Sequence, residues 1–134
     1  PLHPTQYADL LGKKLEDNKD INVWLVNTGW SGGGYGVGER MKLKYTRAMI
    51  TAAMNGNLDN VGYENHPVFG VAMPTTCPDV PDELLIPKNT WADKTAYNKA
   101  ANRLADLFNK NFEQYKDAAS EDIRNAAPTA LENV

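Results

Sequence analysis

The chain has 134 residues, 42% hydrophobic and 23% charged, enough for one modest soluble domain with its own core. A net charge of −3 and an isoelectric point near 5.3 offer no global basic field to nucleic acid or an anionic membrane, and no apolar run approaches the roughly 20 residues of a membrane span. The lone Cys77 excludes an internal disulfide and a multi-cysteine metal site, and no basic-then-apolar leader is present, so a cytoplasmic protein without a secretory signal is expected.

The chain opens on Pro1 rather than methionine, as expected of a cut or engineered start. Pro4 suits a first helical turn, and Tyr7, Leu10, Leu11 and Leu15 recur at helical spacing, predicting a first helix. Gly12 weakens that helix by about 1 kcal/mol relative to alanine, so neighbours must support it. Asp17-Asn18-Lys19-Asp20 is a polar stop. Residues 22–26 are apolar on both faces, the pattern of a buried, parallel strand, with Trp24 in the core.

The stretch 27–41, Asn-Thr-Gly-Trp-Ser-Gly-Gly-Gly-Tyr-Gly-Val-Gly-Glu-Arg-Met, holds six of the ten glycines. A strand, a glycine-rich loop and then basic residues feeding a helix is how α/β proteins hold phosphorylated ligands. The spacing is not that of a dinucleotide fingerprint, and Gly38 is followed by Glu39-Arg40 rather than the Lys-Ser/Thr of a Walker loop. On spacing alone, a ligand loop and a long ligand-free connection both remain open. Trp30 is placed to close a pocket or to pack, and Glu39, Arg40, Lys42 and Lys44 read equally as a solvated charge run.

A second helix is predicted over about 43–54, with Tyr45, Ala48, Met49, Ala52 and Ala53 on one stripe and Asn55-Gly56-Asn57 ending it. Five of the eight prolines then fall between residues 66 and 87, predicting an extended, irregular crossing that wraps a neighbouring surface, with one short strand over 68–73. A long helix follows over 93–116, capped by Thr90 or Asp93, with Tyr97, Ala100, Ala101, Leu104, Leu107, Phe108, Phe112 and Tyr115 towards the core. From about 117 the pattern fades into a short connection and a frayed tail. His3 reads as a local hydrogen-bonding group, His66 as a surface or turn residue, and Cys77 as a small packing residue.

Asn27-Thr28-Gly29-Trp30, the loop 34–41 and Lys44-Tyr45-Thr46-Arg47-Ala48 together resemble the ATP-dependent phosphoenolpyruvate carboxykinases. Leu2-His3-Pro4-Thr5-Gln6-Tyr7-Ala8, Asn57-Leu58, Pro67-Val68-Phe69-Gly70, Met73-Pro74-Thr75 and Pro87-Lys88-Asn89-Thr90-Trp91 follow in the family's order. The resemblance runs from about residue 2 to about 115 and covers only the last quarter or so of such an enzyme. It implies an α/β fold, with residues 1–134 forming the C-terminal part of the mononucleotide-binding domain: few strands, flanking helices and a long C-terminal helix.

The resemblance also implies site residues. Arg40 and Met41 match the positions that bracket the ATP base, and Thr46 matches a third adenosine contact. A guanidinium stacks on or hydrogen-bonds around a purine, an apolar chain lies against the ring, and a hydroxyl satisfies a ring nitrogen. Met41 departs from the branched aliphatic often found there but is apolar and fills the gap. Tyr35 and Arg47 are assigned to loop support.

The family's Gly-Lys-Thr loop, divalent-metal ligands (magnesium or manganese) and oxaloacetate-binding arginines do not occur in this chain, and the resemblance puts them upstream. The implied parent reaction converts oxaloacetate and ATP to phosphoenolpyruvate, carbon dioxide and ADP, in gluconeogenesis. The chain itself is expected to be inactive, to pack on the remainder of its polypeptide, and to self-associate when that is missing. The competing expectation is an autonomous, non-catalytic module that binds a nucleotide or another protein.

Overall fold

Pro4 opens α1 (Pro4–Asp17), where its missing amide costs nothing, and the polar run after Glu16 closes it as expected. In a computed structural model, residues 2–26 and 29–132 are described; Asn27 and Thr28, expected to lead into the glycine loop, lie outside them. The apolar stripe of α1 finds little core, because Tyr7, Leu10 and Leu11 stay about half exposed and Thr5 alone is buried. His3 is the expected local group: its Nδ1 lies 2.8 Å from the Thr5 hydroxyl, with the ring edge-on to Tyr115.

The segment 21–26 is not the buried parallel strand its composition predicts. It pairs with none of the described strands, and Ile21, Val23 and Leu25 are 57%, 58% and 86% exposed. A strand is completed by a neighbour that takes up its backbone groups, and the four described strands pair with one another instead. Trp24 alone reaches inward, half-buried against the core beside Tyr63.

Two antiparallel hairpins replace the expected parallel arrangement. In the first, β1 (Trp30–Ser31) pairs with β2 (Glu39–Arg40), Trp30 opposite Arg40. In the second, β3 (Tyr63–Asn65) pairs with β4 (Ala72–Pro74), Asn65 opposite Ala72. The strand expected over 68–73 is thereby corrected: residues 67–69 form the turn, Gly70 takes φ +69°, and only 72–74 continue into the ladder.

Between the hairpins runs α2 (Leu43–Met54), whose expected stripe is the core-facing one. Ala52 is buried with Leu58, Cys77, Val80 and Leu85, while Tyr45, Ala48, Met49 and Ala53 pack against them. Its end is chemically specified. Gly56 takes φ +71° beyond the cap, the Asn57 amide donates to Ala52 O and the Gly56 amide to Ala53 O, which satisfies carbonyls the helix cannot. Cys77 is the buried packing residue expected of it.

The proline-rich path ends in α3 (Pro87–Thr90), and Asp93 caps α4 (Lys94–Phe112) by accepting from the Thr95 and Ala96 amides at 2.8 and 3.0 Å. The inward face of α4 is not the one its large apolar residues mark. Ala101 and Ala105 are its buried residues, with Ala105 fully enclosed, whereas Leu104, Leu107 and Phe108 are 44–54% exposed. The small alanines admit close approach of other backbone, and Asn102 and Asn109 on the same side supply hydrogen bonds to it.

That backbone is the segment 128–131, which is docked rather than frayed. After α5 (Glu121–Asn125), capped by Ser120, the chain returns along α4. Asn102 accepts the Leu131 amide at 2.8 Å and donates to its carbonyl at 3.0 Å, Asn109 donates to Pro128 O, and the Thr129 amide donates to Val68 O. Val68, Ala101 and Ala105 form the second core cluster, closed by Phe69, Tyr97 and Leu131.

Of the two readings offered for His66, surface or turn, the structure keeps the turn: the residue is buried and bonds the backbone of the turn 67–69. Its Nδ1 accepts the Val68 and Phe69 amides at 3.1 and 3.2 Å, which leaves the proton on Nε2 to meet the Tyr97 hydroxyl at 2.7 Å. Burial holds its pKa below 6.5 and raises that of Tyr97.

Candidate functional site

The glycine-rich segment folds as the loop of the first hairpin, spanning residues 32–38. Its turn is closed by the Val37 and Gly38 amides donating to Gly34 O. Two glycines are indispensable to this path. Gly32 has φ +81° and would set a Cβ 2.9 Å from Thr90 O, while a Cβ on Gly38 would overlap the Ser31 carbonyl and the Gly33 backbone. The Gly32 amide donates to Thr90 Oγ1 at 2.9 Å, a tie across 58 residues that local sequence reading gave no means of finding. At the far side, the Met41 amide donates to Gly29 O and closes the base of the hairpin.

Arg40 ends β2 with its side chain exposed, Met41 follows half-buried, and Thr46 is buried in the first turn of α2. The three lie along one continuous path, since Lys42 O accepts the amides of both Tyr45 and Thr46. They do not line one pocket: Met41 borders a cavity that opens behind the hairpin, and Arg40 and Thr46 do not. Tyr35 is 89% exposed and meets Trp30 edge-on at 5.4 Å, so it braces the hairpin's own aromatic, and Arg47 projects to solvent.

The electrostatics at the entry to α2 are unusual for a helix. Lys42 occupies the cap position with no side-chain cap, no acid stands in the first turn, and Arg40, Lys42, Lys44 and Arg47 fall within eight residues of sequence there in a chain of net negative charge. Cations at a helix N-terminus oppose the macrodipole, and an anion would relieve both. Elsewhere, burial and then Asp79 push the Cys77 thiol up, away from the reactive thiolate.

Behind the hairpin opens a cavity of about 750 Å³, bordered by Trp24, Trp30, Met41, Met49, Tyr63 and Trp91 and by the unpaired segment 22–26. Among the described residues no three His, Cys, Asp or Glu side chains come together to hold a metal ion. These residues therefore do not fit a divalent-cation site. No helix of the described residues is long and apolar enough to cross a membrane.

A family model described as phosphoenolpyruvate carboxykinase matches residues 1–83. The chain belongs to the phosphoenolpyruvate carboxykinase family. Among curated relatives, the phosphoenolpyruvate carboxykinase (ATP) of Flavobacterium johnsoniae is 59% identical over 128 residues, covering 96% of this chain and 24% of the relative. That of Christiangramia forsetii is 57% identical over the same shares, and that of Brevibacillus brevis 57% identical over 129 residues, again 96% and 24%. The chain thus spans about a quarter of the length of the carboxykinases it matches. Its mixed helices and short antiparallel strands are a fragment of a carboxykinase domain.

Proposed function

We propose that this chain is the C-terminal part of the nucleotide-binding domain of an ATP-dependent phosphoenolpyruvate carboxykinase and contributes the adenosine end of its ATP site. The parent would convert oxaloacetate and ATP to phosphoenolpyruvate, carbon dioxide and ADP, as a cytoplasmic enzyme of gluconeogenesis. The observation that carries this reading is the glycine hairpin, which delivers Arg40 and Met41 directly to the uncapped, cation-rich start of α2. Arg40 would lie on or beside the purine, Met41 against its face, and the Thr46 hydroxyl would satisfy a ring nitrogen.

The reacting end lies elsewhere. Phosphoryl transfer needs cations around the γ-phosphate, and on this reading the remainder of the parent polypeptide would hold them. An autonomous module is less well supported. Exposed Ile21, Val23 and Leu25 beside an open apolar cavity are what the remainder of a larger polypeptide would cover.

The test is nucleotide affinity in the full-length enzyme. A charge-assisted hydrogen bond contributes about 1.5–3 kcal/mol, so Arg40→Ala should weaken ATP binding by about 10- to 100-fold and leave oxaloacetate binding nearly unchanged. Thr46→Ala should cost less, and Glu39→Ala serves as the control. An Arg40→Ala enzyme that binds ATP normally sinks the assignment.

A further inference from the structure

We infer that Thr90 is a positioning residue for the nucleotide loop, holding the glycine hairpin in its binding geometry from the opposite side of the chain; the inference rests on the nucleotide reading above. Thr90 is not itself a proposed ligand contact, although it borders the same cavity as Met41. Its hydroxyl donates to Pro87 O at 2.8 Å, which fixes the rotor and turns an oxygen lone pair towards the Gly32 amide, 2.9 Å away. The contact is close on the backbone side as well, because a Cβ on Gly32 would stand 2.9 Å from Thr90 O. The first limb of the loop therefore rests against α3 over both a hydrogen bond and a steric stop.

The support is itself braced. Lys94 folds its ammonium back over the end of α3 and donates to Lys88 O, Asn89 O and Trp91 O at 2.9, 2.9 and 2.7 Å. Lys88 O also accepts the Trp91 amide, so the ammonium adds to a bond already closing this one-turn helix and ties in the two carbonyls beside it. With α3 fixed, Thr90 holds Ser31 and Gly32, and the antiparallel register carries that position across to Glu39 and Arg40. Removing the hydroxyl frees the loop limb opposite Arg40 without touching Arg40.

The experiment uses the full-length carboxykinase that contains this chain, with Thr90→Val, Thr90→Ser and Arg40→Ala made separately. Valine keeps the shape and loses the acceptor, so KM for ATP should rise about 3- to 10-fold, as expected for one neutral hydrogen bond. Turnover at saturating ATP and KM for oxaloacetate should stay near the unmodified values, and serine should restore ATP affinity. If Thr90→Val keeps the unmodified KM for ATP while Arg40→Ala raises it, the anchoring role is wrong and the nucleotide site stands. If neither changes it, the nucleotide reading fails and takes the anchor with it. A loss shared by turnover and oxaloacetate, or one that serine does not repair, also overturns the inference, because a packing defect has that signature.

Discussion

Replacing His66 isolates the hydrogen bonds that shape the second hairpin. In His66→Ala, the Val68 amide loses its acceptor in a buried site, the Phe69 amide loses one where water has partial access, and the Tyr97 hydroxyl loses its partner. An orphaned buried donor costs about 1–3 kcal/mol and an ordinary hydrogen bond about 1 kcal/mol, so about 3 kcal/mol of stability should be lost in all. In His66→Asn, the side-chain oxygen can still accept the two amides, and the loss should shrink to about 1 kcal/mol, close to that of Tyr97→Phe. Urea unfolding of the four proteins measures this directly. The histidine's pKa is depressed in the folded state, so below 6.5 the unfolded chain binds the proton more readily. Its contribution is therefore complete above about pH 6.5 and is lost as the pH falls towards the folded value, a dependence that His66→Asn should remove. An asparagine variant as damaged as the alanine one, or an alanine variant of unchanged stability, would refute the acceptor role.

Asn102→Ala should release the C-terminal segment while leaving α4 formed, so amide exchange at 129–131 should accelerate with little change in helix signal; unchanged protection there would show that the segment is held by other contacts. The isolated chain should self-associate through its unpaired apolar segment, and Leu25→Glu, at an 86% exposed position, should shift it towards monomer in sedimentation without loss of stability. A strictly monomeric unmodified chain at high concentration would contradict this. The isolated chain should also form no phosphoenolpyruvate from ATP, oxaloacetate and divalent metal, and turnover by rigorously purified chain would contradict the partial-site reading.

What could be read from the sequence was local. The α2 stripe and its Asn-Gly-Asn stop specify the buried face and the C-terminal end of a helix within fifteen residues, and the structure keeps both. The segment 22–26 was misread for the opposite reason: its composition describes a strand interior, but its pairing partner is not among the described strands. On α4, residue size misled, because Leu104, Leu107 and Phe108 outweigh Ala101 and Ala105 in hydrophobicity, whereas close backbone approach selects alanine. His66 and Thr90 carry long-range contacts that no spacing rule encodes, although a threonine closing a Pro-led turn is a residue type that bonds to nearby backbone. Arg40, Met41 and Thr46 came from family likeness alone; the hairpin supplies their setting, not their ligand.

The docking of residues 128–131 has a consequence for how freely they can change. Asn102, Asn109 and Val68 bind amides and carbonyls of Pro128, Thr129 and Leu131, and none of these bonds engages a side chain of the segment. Such a grip is indifferent to most substitutions, so the segment can drift in sequence and stay in place, provided residue 131 remains apolar enough to close the second cluster. The exception is proline at 129 or 131, which deletes an amide the fold uses. Asn102 is fixed by the same logic, because a single side chain there must both accept from and donate to one residue of main chain.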